Sequence, residues 1–309
     1  MISVKNCVKR YGDLVALDHF NLEVSDGEIF GLLGPNGSGK STAIHCMLSL
    51  LQYDKGDIRL FDQPMSPTNY EVKSRIGVVM QNVAVFNELT VQENIDYFCG
   101  LYVPDKARRR PLVEEAIEFT GLGDYRKFLP KKLSGGLLRR LNIACGIAHR
   151  PELIFLDEPT VAVDPQSRNS ILEGIRELNR RGATIVYTSH YMEEVEQLCS
   201  RIMIMDKGKA VATGTKEELT AMIRTGETLT IELYELPEDT LDALRRMEGI
   251  LQADYEDNLL TIRCVSGGHR LIAVLDLLRK ASLKVGRVFS APPTLNDVFL
   301  EITGKQLRD

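Results

Sequence analysis

The chain has 309 residues, which is long enough for one large domain and a smaller one. It is 44% hydrophobic and 26% charged, with a net charge of −5, which is typical of a globular protein and argues against a strongly basic nucleic-acid-binding domain. No apolar run has the length of a signal-peptide core or a membrane span, so we expect a chain that does not cross a membrane by itself. Six cysteines without a Cys-x-x-Cys pair predict buried free thiols in a reducing compartment.

The N-terminal part of the sequence consists of short strand-like runs separated by turns such as Gly12-Asp13 and Asp26-Gly27. One helix is predicted within it, at 41–51, directly after an apolar run. The strands of this part are predicted at 3–9, 17–24, 28–33, 57–61 and 76–80.

The strand at 28–33 runs into Gly-Pro-Asn-Gly-Ser-Gly-Lys-Ser, a G-x-x-x-x-G-K-[ST] pattern at residues 34–41 that we call the phosphate loop. Its glycines let successive backbone N–H groups point at a phosphate chain, and the following helix adds the positive end of its dipole. Lys40 can reach the β- and γ-phosphates, and the Ser41 hydroxyl can ligate Mg²⁺. The predicted phosphate-binding residues are Gly34, Pro35, Asn36, Gly37, Ser38, Gly39, Lys40, Ser41 and Thr42.

Residues 87–150 have a helical pattern, which predicts an all-helical insertion in a larger domain. Thr90 and Glu93 have the spacing of a capping box and should begin a helix that runs to about residue 102. Two more helices are predicted at 111–120 and 135–149. Short basic clusters at 108–110, 139–140 and 180–181 lie in helical stretches and are predicted to be solvated helix faces.

Strands and helices alternate again from residue 153 to 213, which predicts a three-layer α/β domain. The apolar strand at 153–156 ends in Asp157 and Glu158. Beside a phosphate loop, Asp157 can hold Mg²⁺ through water, and Glu158 can polarise a water for attack on the γ-phosphate. The other elements are a helix to about residue 182 with Asp164 as its N-cap, a strand at 183–188, a helix at 191–198 and a hairpin at 201–205 and 209–213.

The organisation restarts near residue 225 in the order βαββαβ, which predicts a small ferredoxin-like domain with no catalytic constellation. The predicted domains are therefore 1–222 and 226–309. The predicted elements of the second domain are strands at 228–235, 250–255, 259–264 and 284–290 and helices at 238–248, 271–281 and 294–303.

A second anion-binding helix start, Leu-Ser-Gly-Gly-Leu at 133–137, is unexpected because a nucleotide needs only one phosphate loop. Together with the phosphate loop, the acidic strand end, Gln81 and His190, this signature segment resembles the ATPase subunit of an ATP-binding cassette (ABC) transporter, over residues 1 to about 222. Residues 160–168 and the run from Pro293 are similar to the daunorubicin-resistance type of exporter ATPase.

The resemblance implies a role for each matching residue. Tyr11 would stack on adenine, Gln81 would ligate Mg²⁺ and sense the γ-phosphate, and His190 would hydrogen-bond the γ-phosphate. The remaining matches would contact the ATP held by a partner subunit, and they are Ser134, Gly135, Gly136 and Asp164. Leu137 departs from the family's glutamine, and Val161 and Ala162 depart from a small polar residue and a glycine, so the hydrolysis rate is in question.

The resemblance further implies an ATP- and Mg²⁺-dependent motor in which two copies, or one copy and a related ATPase subunit, meet head to tail around two ATP molecules. The dimer would energise export through an integral-membrane permease, docked at 82–88 and at the helical insertion, from the cytoplasmic face of the membrane. The cargo, the permease and the role of the second domain do not follow from the sequence; an intersubunit or regulatory role is favoured for that domain.

Two other classes of ATPase remain as alternatives. An ABC ATPase acting on ribosomes or DNA normally carries two cassettes or a long coiled coil, whereas this chain has one phosphate loop and lacks sustained heptads and a basic face. A P-loop kinase or GTPase would leave the signature segment and His190 without a role.

Overall fold

The computed structural model describes residues 1–266 and 270–304, which fall into two compact units, one from Met1 to Thr215 and one beginning at Lys216. The predicted boundary at 222–226 lies after helix α8 (Lys216–Ala221), which the structure groups with the second unit. Within the described ranges no helix is both long and apolar enough to span a bilayer. All six cysteines are free, and five of them are buried, as predicted.

The first unit begins with an antiparallel sheet whose strands lie in the order β2-β1-β4-β5. Its strands are β1 (Ile2–Tyr11), β2 (Leu14–Val24), β4 (Lys55–Leu60) and β5 (Gln63–Pro64). Alternate residues of β1 and β2, including Val4, Phe20 and Leu22, are buried in a core shared with the first helix, and this alternation is the strand signal seen in the sequence.

A second, six-stranded sheet in the order β10-β9-β3-β8-β7-β6 positions the functional residues. Every pairing in it is parallel except that of β9 with β10. Its strands are β3 (Ile29–Leu33), β6 (Ile76–Val79), β7 (Leu153–Asp157), β8 (Thr184–Ser189), β9 (Arg201–Asp206) and β10 (Lys209–Gly214). Because β3, β6, β7 and β8 are parallel, the phosphate loop, Gln81, Glu158 and His190 follow strand ends at the same edge of the sheet.

Four helices accompany this sheet, and they are α1 (Lys40–Met47), α2 (Tyr70–Lys73), α6 (Pro165–Arg180) and α7 (Met192–Leu198). Helix α1 ends earlier than the predicted 51, because the chain turns at Ser49, whose φ is 51°. Helix α6 begins where the sequence predicted, with the Asp164 carboxylate accepting a hydrogen bond from the Ser167 N–H and proline in the first turn.

The predicted helical insertion is present, and it consists of α3 (Val91–Gly100), α4 (Lys106–Phe119) and α5 (Gly135–Ile147). The capping box at Thr90 and Glu93 is confirmed. Helix α4 begins before the predicted 111, because Asp105 caps it and Pro111 is accommodated inside it. The three helices share a core that includes Val91, Ile95, Ile117 and Leu141.

The prediction of solvated faces is wrong for Arg109 and Arg139, which are both buried. The Arg109 guanidinium donates to both carboxylate oxygens of Asp96, at 2.8 and 3.2 Å. Arg139 donates to backbone carbonyls beside the candidate active site. In both cases distant acceptors compensate the cost of burying the charge.

The second unit contains the predicted βαββαβ order, in an antiparallel sheet arranged β12-β13-β11-β14, which confirms the ferredoxin-like topology. Leu229, Ile231, Leu260 and Ile262 lie in its core. Its elements after α8 are β11 (Thr225–Leu233), α9 (Glu238–Arg245), β12 (Ile250–Glu256), β13 (Leu259–Val265), α10 (Leu271–Lys280), β14 (Val285–Ala291) and α11 (Leu295–Thr303).

Candidate active site

The phosphate loop connects the fully buried strand β3 to α1, and its glycines are required by both space and conformation. A Cβ at Gly34 would collide with the Met205 carbonyl oxygen. Gly39 has a φ of 106°, and a Cβ there would lie 2.7 Å from the Ala16 carbonyl oxygen. Tight packing on neighbouring backbone therefore fixes the shape of the loop.

The loop and the start of α1 offer hydrogen-bond donors and few acceptors. Among the described residues no side chain caps α1, and its first turn contains no acidic residue, so its N-terminal N–H groups are available to an anion. The buried Ser38 hydroxyl has no hydrogen-bond partner within the described part of the chain. These features fit a bound phosphate group.

Lys40 lies beneath the loop with 5% of its surface exposed. Its Nζ donates to the carbonyl oxygens of Gly34 at 2.8 Å and Pro35 at 3.2 Å, and it lies 3.7 Å from Oε1 of Glu158. Burial lowers the pKa of Lys40, and the nearby carboxylates of Glu158 and Asp157 oppose that shift. The geometry places one ammonium group between the loop backbone and an acidic side chain.

Three of the predicted residues, Lys40, Gln81 and His190, contact the carboxylate of a fourth, Glu158. The Gln81 amide nitrogen donates to Oε2 of Glu158 at 2.9 Å, and His190 Nδ1 lies 3.4 Å from Oε1, the oxygen that faces Lys40. Glu158 has a φ of 47°, in the left-handed region, where its N–H donates to the Thr188 hydroxyl at 3.0 Å. The turn at the end of β7 thus directs Glu158 away from its neighbour Asp157.

Asp157, the last residue of β7, is also buried. Its Oδ1 accepts a hydrogen bond from the Thr188 hydroxyl of β8 at 2.6 Å. The same hydroxyl also accepts from the Glu158 N–H, so Thr188 orients both acidic residues. Consecutive carboxylates are therefore held in two different environments, as the sequence predicted.

A cleft of about 660 Å³ lies above these groups. Its walls include Gln81, Glu158, the phosphate loop and the first turn of α1, together with Tyr11, which is 48% exposed. Lys207, in the turn between β9 and β10, also lines the cleft and was missed by the sequence analysis, which saw only a hairpin turn there. The cleft is thus lined both by an exposed aromatic ring and by the loop that is predicted to bind phosphate.

The signature residues lie apart from this cleft. Of the residues that line it, none is Ser134, Gly135 or Gly136. Ser134 caps α5 by accepting a hydrogen bond from the Leu137 N–H, and a Cβ at Gly136 would lie 3.2 Å from Oδ2 of Asp164. The signature segment and Asp164 therefore form a second cluster outside the lining of this cleft.

A buried carboxylate that the sequence analysis missed, Glu194 of α7, is hydrogen-bonded to Ser189, the residue before His190. Its Oε2 accepts hydrogen bonds from the hydroxyls of Tyr187 at 2.7 Å, Thr160 at 2.8 Å and Ser189 at 3.1 Å, and Arg168 lies 3.3 Å from Oε1. A glutamate in a helix gives no local signal of such a network, because its partners come from three separate segments: the loop at Thr160, helix α6 and strand β8.

Comparison with known proteins identifies this arrangement. The family model described as ABC transporter matches residues 17–161. The chain is 36% identical to the linearmycin resistance ATP-binding protein LnrL of Bacillus subtilis, covering 100% of both chains. It is 34% identical to the daunorubicin resistance ATP-binding protein DrrA3 of Streptomyces coeruleorubidus, covering 99% of this chain and 97% of the relative.

Among solved structures, a dimeric ATP-binding cassette in a post-hydrolysis state bound to ADP and Pi matches with a TM-score of 0.64 and 26% identity. The match covers 70% of this chain and 98% of that one. Because a relative matches this chain along its whole length and a nucleotide-bound cassette has the same fold, the chain belongs to the ABC transporter family, as an ATP-binding subunit that hydrolyses ATP.

Proposed function

We propose that two copies of this chain, or one copy and a related ATPase subunit, bind two ATP molecules at a shared interface. Each ATP would lie between the phosphate loop of one subunit and Ser134, Gly135 and Gly136 of the other, with Asp164 beside the crossing point. The separation of the two clusters within one chain supports this arrangement, and the matched solved structure is dimeric.

The observation that carries the proposed chemistry is the convergence of Lys40, Gln81 and His190 on the Glu158 carboxylate. In this proposal Glu158 accepts a proton from a water that attacks the γ-phosphate in line. Lys40 and His190 stabilise the negative charge that develops on the phosphoryl oxygens. Tyr11, an exposed residue that lines the cleft, stacks on adenine.

A magnesium ion fits the oxygen donors at the site. Ser41 lies in the first turn of α1, Gln81 lines the same cleft, and Asp157 is a buried carboxylate at the adjacent strand end. We propose that these three residues hold Mg²⁺, which neutralises phosphate charge when bound. Oxygen donors of this kind suit Mg²⁺ better than a metal that prefers sulfur or imidazole ligands.

We further propose that the dimer drives an integral-membrane permease in export and is attached through it to the cytoplasmic face of the membrane. The names of the relatives refer to drug resistance and to Nod factor export, which supports export without identifying this chain's cargo. Exposed Val83 and Phe86, in the predicted docking segment 82–88, and Tyr97 on α3 offer apolar contact area for such a partner. No nucleic-acid partner is proposed.

The domain assignment 1–222 and 226–309 is retained as a proposal, with an intersubunit or regulatory role for the second domain. Deleting 225–309 and measuring dimerisation and basal ATPase activity tests that role. Loss of ATP-dependent dimerisation would support it, whereas an unchanged dimer and rate would contradict it.

The variant Glu158→Gln tests the proposed chemistry, because it keeps the size of the side chain and removes the base. We expect turnover to fall by about 10²- to 10⁴-fold, with ATP binding retained and an ATP-dependent dimer that persists. Glu152→Gln is the matched control, since Glu152 precedes the same strand and pairs with Arg75 at the surface. A Glu158→Gln protein that stays monomeric in ATP and hydrolyses it at the normal rate would overturn the proposal.

A further inference from the structure

Arg139 connects the helix that carries the signature segment to the candidate active site of its own chain. The side chain is 5% exposed. Its Nη1 donates to the Met80 carbonyl oxygen at 3.1 Å, and its Nη2 donates to the Glu158 carbonyl oxygen at 3.4 Å. Burial lowers the pKa of Arg139, and the carboxylates of Asp157 and Glu158 oppose that shift. A guanidinium group can hold two separate acceptors in this way because its donors are arranged in a rigid fork.

The two carbonyl groups belong to the backbone that positions the reacting side chains. Met80 directly precedes Gln81, and the other carbonyl is that of Glu158 itself, which has the left-handed φ of 47°. A left-handed conformation costs a residue with a side chain free energy, so it persists only where surrounding contacts hold it. The hydrogen bond from Arg139 is one of those contacts.

Asn142 strengthens the same connection from the next turn of α5. Its Nδ2 donates to the Met80 carbonyl oxygen at 3.4 Å, and its Oδ1 accepts from the Ala84 N–H at 3.1 Å. Helix α5 therefore holds both ends of the segment that contains Gln81. A movement of α5 must change the position of Gln81 and the backbone of Glu158 together.

The same helix begins at the signature segment. Ser134 is the N-cap of α5, and with a rise of about 1.5 Å per residue Arg139 lies about 7 to 8 Å further along the axis. Ser134 and Arg139 belong to one continuous helix, so a displacement of that helix at Ser134 would reach Arg139 without an intermediate element.

We propose that Arg139 is a positioning residue that couples the two nucleotide sites of the dimer. When Ser134 engages the ATP bound by the partner, α5 shifts, and Arg139 transmits the shift to the Glu158 carbonyl and to Gln81 of its own chain. Each site then reaches its full rate only when the other is filled. This inference rests on the proposed function, because it requires the shared interface and the roles of Glu158 and Gln81.

The neighbouring Arg140 provides a matched control. Its Nη1 donates to the Thr120 carbonyl oxygen at 3.4 Å, and Thr120 caps α4 within the helical insertion. Arg140 thus has the same charge as Arg139, lies on the same helix and also donates to a backbone carbonyl. Its acceptor, however, does not belong to the candidate active site. A general effect of removing a positive charge from α5 would appear in both variants.

The test compares Arg139→Gln, Arg139→Lys and Arg140→Gln in the full chain, by ATPase rate against ATP concentration and by ATP binding. We expect wild type and Arg140→Gln to share a Hill coefficient above one. Arg139→Gln should lower kcat by about 10- to 100-fold with little change in ATP affinity, and its Hill coefficient should fall to about one. Arg139→Lys, whose single ammonium cannot reproduce the fork, should be intermediate in both quantities.

Several results would overturn the coupling role. They are a wild-type Hill coefficient of one, an Arg139→Gln protein that matches Arg140→Gln, or an Arg139→Lys protein that matches wild type. If Arg139→Gln does not fold, the comparison of Arg139→Lys with wild type decides the question alone. Glu158→Gln, measured in parallel, separates the two claims. Wild-type turnover in that variant would contradict both the proposed function and the coupling. An inactive Glu158→Gln protein beside an Arg139→Gln protein with normal kinetics would contradict the coupling alone.

Discussion

Glu194 is predicted to be a major source of stability in the first unit. The variant Glu194→Gln keeps the side-chain volume but removes the charge that accepts hydrogen bonds from Thr160, Tyr187 and Ser189. A hydrogen bond to a charged group contributes about 1.5–3 kcal/mol, against about 0.5–1.5 kcal/mol for a neutral one. With three such bonds each weakened by roughly 1 kcal/mol, the free energy of unfolding should fall by about 3 kcal/mol. Burial and the Glu194 carboxylate hold the pKa of Tyr187 well above its usual range, so the tyrosine remains a donor.

The assay is thermal and urea unfolding of the full chain, with Glu193→Gln as the control. Glu193 is the exposed neighbour of Glu194 on the same helix, so its substitution removes the same charge from α7 without disturbing a buried network. For a unit of this size, 3 kcal/mol corresponds to a decrease in Tm of roughly 6–12 °C. A Glu194→Gln protein that unfolds with the same free energy as Glu193→Gln would refute the argument from buried, charge-assisted hydrogen bonds.

Two further predictions concern Lys40 and His149. Lys40→Ala should weaken ATP binding at least about tenfold, because it removes the ammonium group beneath the loop and its hydrogen bonds to Gly34 and Pro35. Titration calorimetry measures the Kd for ATP, and an unchanged Kd would contradict this role. Burial lowers the pKa of His149 to about 4 in the folded protein, from about 6.5 in the unfolded chain. Protonation between these two values therefore favours the unfolded chain, and the free energy of unfolding should fall as the pH decreases from about 6.5 towards 4. The free energy of unfolding of the wild type should fall by about 2 kcal/mol more than that of His149→Gln between pH 7 and pH 5. Parallel stability profiles against pH for the two proteins would contradict this prediction.

The parts of the fold that the sequence predicts correctly are those specified by neighbouring residues. The phosphate loop lies between a buried strand and a helix, the capping box at Thr90 needs only a residue three positions away, and the βαββαβ order follows from alternating hydrophobicity. The convergence on Glu158 is also predictable, because the parallel order of the strands brings their ends together.

The errors arise where a distant partner decides the outcome. Arg139 has the local pattern of a solvated residue, but its two acceptors lie 59 and 19 residues away in the chain. Glu194 is unremarkable in sequence for the same reason, since the hydroxyl groups that stabilise its buried carboxylate come from strand β8 and from Thr160, which lie elsewhere in the chain. Helix α4 passes through Pro111, which the sequence pattern treats as a helix start.

The most direct test of the shared interface is complementation between two inactive variants, Lys40→Ala and Ser134→Asp. Aspartate retains the N-cap of α5 but places a negative charge where the signature segment would meet ATP. In a mixed dimer one site carries both substitutions and the other carries neither. If the two sites acted independently, an equal mixture would recover roughly a quarter of wild-type ATPase activity, because half of the dimers are mixed and each has one intact site. With the coupling through Arg139 the recovered rate should be about 10- to 100-fold lower than that, but still above the rate of either parent. A mixture as inactive as its two parents, or a Ser134→Asp protein that hydrolyses ATP normally by itself, would contradict a site built from two subunits.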